Sequence, residues 1–202
     1  MNQIIKNTII LFVITLVAGI CLGTVHDITL DPIAQAQEAA ATKTYQEVYP
    51  DAASFDEPQE LADAVTAGAD SISEWGFGKV TINDAKEALD ASGNQIGYLI
   101  TSTSAESYGG NVQIAVGITN EGELTGIGFL SISDTPGLGM RAKEPDFKDQ
   151  FIGKKAENLE VTKTGASADN QIEAISGATI TSKAVTNATD AAIYFVANCL
   201  AQ

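Results

Sequence analysis

Residues 111–119 read NVQIAVGIT, and in them Val112, Ile114, Val116 and Ile118 alternate with Gln113, Ala115 and Gly117. A period of two places the large apolar groups on one face of an extended strand. The chain on either side has the same texture. Strands are expected over residues 80–89, 95–104, 111–119 and 124–133, separated by the turn signals Ser92-Gly93-Asn94, Gly109-Gly110 and Asn120-Glu121-Gly122. Connections this short join antiparallel neighbours, so an antiparallel meander is predicted. One of its faces then needs an apolar cover.

The C-terminal segment offers that cover. Val185, Ala188, Ala192, Phe195, Val196 and Cys199 recur at helical spacing, with Ser182 as the expected N-cap and Thr181 beside it. Cys199 is then a core-facing thiol. Towards the N-terminus, residues 58–67 carry a second helical pattern ending near Gly68, and residues 34–49 are rich in helix formers and stop at Pro50.

Before these lies an uncharged run of 19 residues, 7–25 (NTIILFVITLVAGICLGTV), close to what a bilayer crossing needs. Lys6 precedes it and Asp27 and Asp31 follow, which puts the N-terminus in the cytoplasm and the bulk of the chain outside. A cleaved signal peptide is the competing reading, but the small-residue site Ala34-Gln35-Ala36 lies beyond the polar residues 26–31, too far from the apolar run. A lipoprotein cysteine at Cys21 is disfavoured by bulky Ile20 before it. The expected organisation is a cytoplasmic end (1–6), a transmembrane helix (7–25), a helical connector (26–70) and an extracytoplasmic domain (71–202). The fold class is α+β, an antiparallel sheet packed against helices with one N-terminal membrane span.

Composition narrows the chemistry. Lys and Arg number 11 against 26 Asp and Glu, a formal charge of -15, which repels nucleic acid. The two cysteines, Cys21 and Cys199, sit too differently to pair, and the single histidine, His26, lacks companions for a zinc, haem or iron–sulfur site. Redox chemistry here calls for an organic cofactor. His26 and Trp75 read as interfacial or packing residues and receive no role.

Two motifs carry the candidate chemistry. Ser176-Gly177-Ala178-Thr179-Ile180-Thr181-Ser182 stands just before the last helix, where free N–H groups and the helix dipole favour an anion such as phosphate. On physical grounds alone an ordinary cap and turn is the stronger reading, because small hydroxyl residues and glycine before a helix usually make just that. Asp134-Thr135-Pro136-Gly137-Leu138-Gly139 follows a strand and must form a stiff loop. A leucine held between glycines can lie against a flat apolar ring.

Together, the single span, the meander ending in TPGLG and the SGAT-x-T-S sequence before the C-terminal helix resemble a known family. It is the FMN-binding domain shared by RnfG, a component of the Rnf electron transport complex, and NqrC, a component of the sodium-pumping NADH:quinone reductase. The resemblance spans nearly the whole chain and implies FMN attached through its phosphate to Thr179 by a flavin transferase. It points to Thr135, Gly137, Leu138 and Gly139 for the isoalloxazine and to Ser176, Gly177, Ala178 and Thr181 around the phosphate. The family's usual aspartate before the motif is Glu173 here, and its usual glutamate before TPGLG is Asp134; both keep the charge. The resemblance further implies an electron relay in a membrane complex that couples electron transfer between ferredoxin and NAD to Na⁺ or H⁺ translocation, with other Rnf-type subunits as partners. The short chain favours the Rnf component over its quinone-reductase counterpart. A membrane-tethered, non-redox binding module is the alternative from another class.

Overall fold

The computed structural model describes residues 2–72, 74–155 and 158–200. The chain divides into two compact units, Met1–Thr42 and Lys43–Gln202. Helix α1 (Gln3–Val48) runs unbroken through Pro32, and in the first unit its Ile9, Phe12, Leu16 and Ile20 all stand exposed. It is long and apolar enough to cross a membrane.

The second unit is built on the meander that the alternation in 111–119 predicts. Its strands are β1 (Ser54–Asp56), β2 (Val80–Leu89), β3 (Gln95–Ser107), β4 (Gly110–Thr119) and β5 (Leu124–Ile132). They form a five-stranded antiparallel sheet in the order β1-β2-β3-β4-β5. Strand β1 has no sequence signal, because three residues show no period. Strand β3 runs three residues past its expected end, after an irregularity between Ser104 and Ser107, to the hairpin pair Ser107–Gly110. Helix α2 (Gln59–Ile72) lies between β1 and β2 in the chain. Beyond the sheet come a short helix α3 (Pro145–Lys148), the parallel pair β6 (Glu160–Thr162) and β7 (Gln171–Glu173), and helix α4 (Thr179–Phe195).

Helix α4 covers the face made by Val112, Ile114, Val116 and Ile118. All four are buried in one cluster with Val185, Ala188, Ala192 and Phe195, and Val196 and Cys199 pack partly buried against it. Burying a Val or Phe fully contributes about 1.5–3 kcal/mol. Burial also pushes the Cys199 thiol above its ordinary range. The polar residues of α4 are satisfied within the core. The hydroxyls of Thr186 and Thr189 donate to the carbonyls one turn back at 3.0 Å, and Ser102 of β3 donates to Ala188 O at 2.9 Å.

Three expectations change. Helix α4 begins at Thr179 with Ala178 as its N-cap, so Ser182 is no cap but a buried residue of the first turn. Its hydroxyl accepts from Ile175 N–H and donates to Ala178 O, each at 3.0 Å. Helix α2 continues through Gly68, whose Cβ position lies 3.4 Å from the Phe195 ring, within ordinary packing distance of the C-terminal helix. Residues 43–70, read from sequence as connector, lie inside the sheet unit. Val48 and Tyr49 are each 2 % exposed and cover the second face of the sheet, where Gly128 leaves no room for a Cβ beside Val48 (2.6 Å). Thr125 Oγ1 donates to Val48 O at 2.7 Å and Tyr49 Oη to Ile96 O at 2.8 Å.

Candidate functional site

The two motifs form matching turns. Leu138 N–H donates to Thr135 O at 3.1 Å across Pro136 and Gly137, with φ of Gly137 at 75°. Ala178 N–H donates to Ile175 O at 2.9 Å across Ser176 and Gly177, with φ of Gly177 at 80°. A glycine with positive φ in the third place is the type II signature, and proline in the second place stiffens the first turn. A side chain at Gly177 would stand 3.2 Å from Leu138 Cδ2. The TPGLG leucine therefore lies directly against the SGAT turn, about forty residues on.

The SGAT turn ends at the helix it precedes. The first intrahelical bond of α4 runs from Ser182 N–H to Ala178 O at 3.0 Å, and no side chain caps this end. The N–H groups of Thr179, Ile180 and Thr181 thus lack an intrahelical acceptor and present a partial positive charge. Thr179 is half-buried at the first position of the helix, and Ser176 and Gly177 are exposed.

One carboxylate fastens these pieces. Asp134 Oδ2 accepts from Thr181 Oγ1 at 2.6 Å and from Ser107 Oγ at 2.8 Å, while Oδ1 accepts from Thr135 N–H at 2.7 Å. Gly139 is buried so closely on this carboxylate that a Cβ there would overlap it. Burial works to raise the Asp134 pKa, but the bonds from Thr181, Ser107, Thr135 and Gly109 outweigh it together and hold the carboxyl below its ordinary range. The β3–β4 hairpin, the TPGLG loop and the head of α4 meet on one ionised group.

Every site residue expected from sequence falls in this junction. Thr135, Gly137 and Leu138 are exposed on the loop, Gly139 is tucked beneath it, Ala178 is buried at the cap, and Thr181 is fully buried with its hydroxyl engaged by Asp134. Sequence reasoning missed Ser107, and noted Asp134 only as a variant of a family position. No local pattern marks either, since their bonds span 27 and 47 residues. Glu173 ends β7 with its backbone bracketed by the Gln150 amide, whose Oε1 accepts from Glu173 N–H at 2.7 Å. Trp75 packs on Tyr194 with ring centroids 4.5 Å apart.

Residues 107–194 match the FMN-binding domain family, and residues 1–48 match the RnfG N-terminal region. Over 96 % of this chain and 92 % of the relative, it is 35 % identical to the G-type subunit of the Na(+)-translocating ferredoxin:NAD(+) oxidoreductase complex of Acetobacterium woodii. The chain belongs to the RnfG family. The RnfG relative from the proton-translocating ferredoxin:NAD(+) oxidoreductase complex of Clostridium ljungdahlii is 30 % identical over 95 % of this chain and 91 % of its own. The relative from the ion-translocating oxidoreductase complex of Methanosarcina acetivorans is 29 % identical over 96 % and 95 %. Among solved structures, NqrC of Shewanella oneidensis superposes with a TM-score of 0.50 at 17 % identity, covering 77 % of this chain and 74 % of that one, a likeness of fold.

The junction fits the flavin nucleotide that an FMN-binding domain of the RnfG family takes. Unpaired N–H groups at the head of α4 suit its phosphate. The exposed Leu138, 43 % accessible, suits an apolar ring.

Proposed function

We propose that this chain is an electron-relay subunit of a membrane complex that moves electrons between ferredoxin and NAD and translocates Na⁺ or H⁺, and that it holds FMN by a phosphoester to Thr179. The observation that carries the attachment is Thr179 at the uncapped first position of α4, half-buried, in a turn that Leu138 of the TPGLG loop touches. In the linkage the threonine Oγ would displace a nucleoside monophosphate from a flavin dinucleotide donor, the Oγ–P bond forming as the phosphoanhydride P–O bond breaks, with the hydroxyl proton passing to solvent and one negative charge left on the phosphodiester. A helix N-terminus stabilises such a charge by about 0.3–1 kcal/mol, up to ~2 where it is partly buried.

That is too little to retain a diffusible nucleotide on a chain of charge -15. A covalent bond replaces affinity with a high effective concentration. Bound FMN supplies one- and two-electron transfer. The protein would contribute position: Ser176, Gly177, Ala178 and Thr181 would hold the phosphate end, and Thr135, Gly137, Leu138 and Gly139 the ring end. Maturation requires a flavin transferase. Lys6 before the apolar run and Asp27 and Asp31 after it support an extracytoplasmic sheet unit. Protease added to right-side-out vesicles should cut it there, and protection would reverse the orientation.

The attachment is tested by co-producing the chain with a flavin transferase. Yellow fluorescence should stay with the polypeptide on a denaturing gel, map by mass to residues 176–182, and vanish in Thr179→Val with the fold kept. Flavin persisting in that variant would move the attachment to another residue.

A further inference from the structure

We propose that the phenol ring of Tyr108 lies over the isoalloxazine ring of FMN carried on Thr179, a reading that rests on the attachment site proposed above. Among the described residues of the sheet unit, five large apolar side chains are exposed: Tyr108, Leu138, Ile152, Ile180 and Tyr194. Tyr194 has Trp75 and Phe77 against it, and Ile152 lies near Gly126. The other three belong to the three segments joined at Asp134. Leu138 is in the TPGLG loop, Ile180 follows Thr179, and Tyr108 is at the tip of the β3–β4 hairpin, 43 %, 55 % and 72 % exposed respectively.

The tip is held while its ring is free. Ser107 pairs with Gly110 across the turn and its hydroxyl donates to Asp134 Oδ2 at 2.8 Å, the oxygen that also takes the Thr181 hydroxyl. On the other side Gly109 packs on the Ser133 carbonyl so closely that a Cβ would overlap it. Fixing a backbone on both sides of a solvent-facing aromatic removes in advance the ordering cost that a ligand would otherwise meet. Tyr108 makes no ring contact among the described residues, whereas Tyr45, Trp75 and Phe77 each have one and Tyr194 has two.

The chemistry then selects Tyr108 from the three. Leu138 and Ile180 can cover an apolar edge, but only Tyr108 presents a flat π face, and offset stacking of planar rings adds attraction beyond the area buried. Thr179 stands two residues before Thr181 and Tyr108 one after Ser107, and the Thr181 and Ser107 hydroxyls share Asp134 Oδ2, so a ring tethered at Thr179 starts from a segment fastened to this hairpin. An exposed hairpin tyrosine that simply meets water is the competing outcome.

The test uses the full-length chain, co-produced with a flavin transferase and purified in detergent, as wild type, Tyr108→Phe and Tyr108→Leu. Attached flavin is first counted on a denaturing gel, so that loading and stacking are read separately. A tyrosine stacked on flavin quenches its emission by electron transfer and a phenylalanine does not. Emission per attached flavin in the native protein should therefore rise several-fold in both variants. Quenching by added iodide should stay low in wild type and Tyr108→Phe, where a ring shields the flavin, and rise several-fold in Tyr108→Leu. Equal emission and equal iodide access in all three, with flavin attached, would overturn the stacking and leave the attachment at Thr179 standing. A wild-type chain without flavin would overturn both.

Discussion

Helices α1 and α4 are both rich in apolar residues, and they use them in opposite ways. In α1, Phe12, Leu16 and Ile20 are 64 %, 50 % and 61 % exposed; in α4, Val185, Ala188, Ala192 and Phe195 are fully buried against the sheet. The side chains differ accordingly. Helix α1 carries large aliphatic groups all round, as lipid contact requires, and α4 carries alanines and threonines that allow close approach to β3. Apolar content alone does not say which solvent a helix leaves water for; side-chain size and the pattern around the helix do.

The largest test of that contrast removes residues 1–42. The chain from Lys43 onward should stay soluble without detergent and keep its sheet by circular dichroism, whereas the full chain should need detergent. Aggregation of the shortened chain would show that α1 completes the core. Next in size, Leu16→Asp places a charge mid-span at a cost of about 2.5–3.5 kcal/mol and should release much of the protein from membranes on alkaline extraction. The matching change in α4, Ala188→Leu, should leave membrane retention alone but lower stability by about 1–3 kcal/mol through overpacking, read as a fall in Tm.

Two finer effects concern the carboxylates at either end of α4. Burial pushes Asp190 up to about 7 against the Leu159 N–H that donates to it at 2.9 Å. The folded chain therefore holds a proton that the unfolded chain releases near pH 4, and stability should fall as pH rises from about 4 to 7. Asp190→Asn keeps the acceptor and should flatten that slope, with a gain on the order of 1–2 kcal/mol at pH 8. Asp134 has the opposite sign. Its lowered pKa stabilises the fold above the ordinary carboxylate range, and this is lost as pH falls through the folded value. Asp134→Asn should cost about 1 kcal/mol at neutral pH and leave a flatter acid limb in pH-dependent melting.

Much of the fold is legible along the chain. The strand at 111–119 follows from period-two alternation, and those at 80–89 and 124–133 from the turn signals that bound them. The helix long and apolar enough to cross a membrane follows from an uncharged run of 19 residues, and the cover for the sheet from helical spacing at Val185, Ala188, Ala192 and Phe195. Both motifs are visible, and the turns they make follow from Pro136, Gly137 and Gly177. The start of α4 is not, because Ser182 looks like a cap in sequence, yet in the fold its hydroxyl is taken by Ile175. Gly68 reads as a stop because its packing partner, Phe195, lies on another helix.

The sequence by itself determined the main strand and helix types, a helix apolar enough to cross a membrane and the TPGLG and SGAT turns, because each rests on residues near one another along the chain, and with the order of these features it determined the family. Only the tertiary structure decided that Val48 and Tyr49 close the second face of the sheet, that β6 and β7 pair in parallel, and that Ser107, Asp134 and Thr181 meet. Those contacts join residues that are not neighbours in the chain, so their partners are chosen by how the sheet and its covering helices close, and no local propensity records that choice.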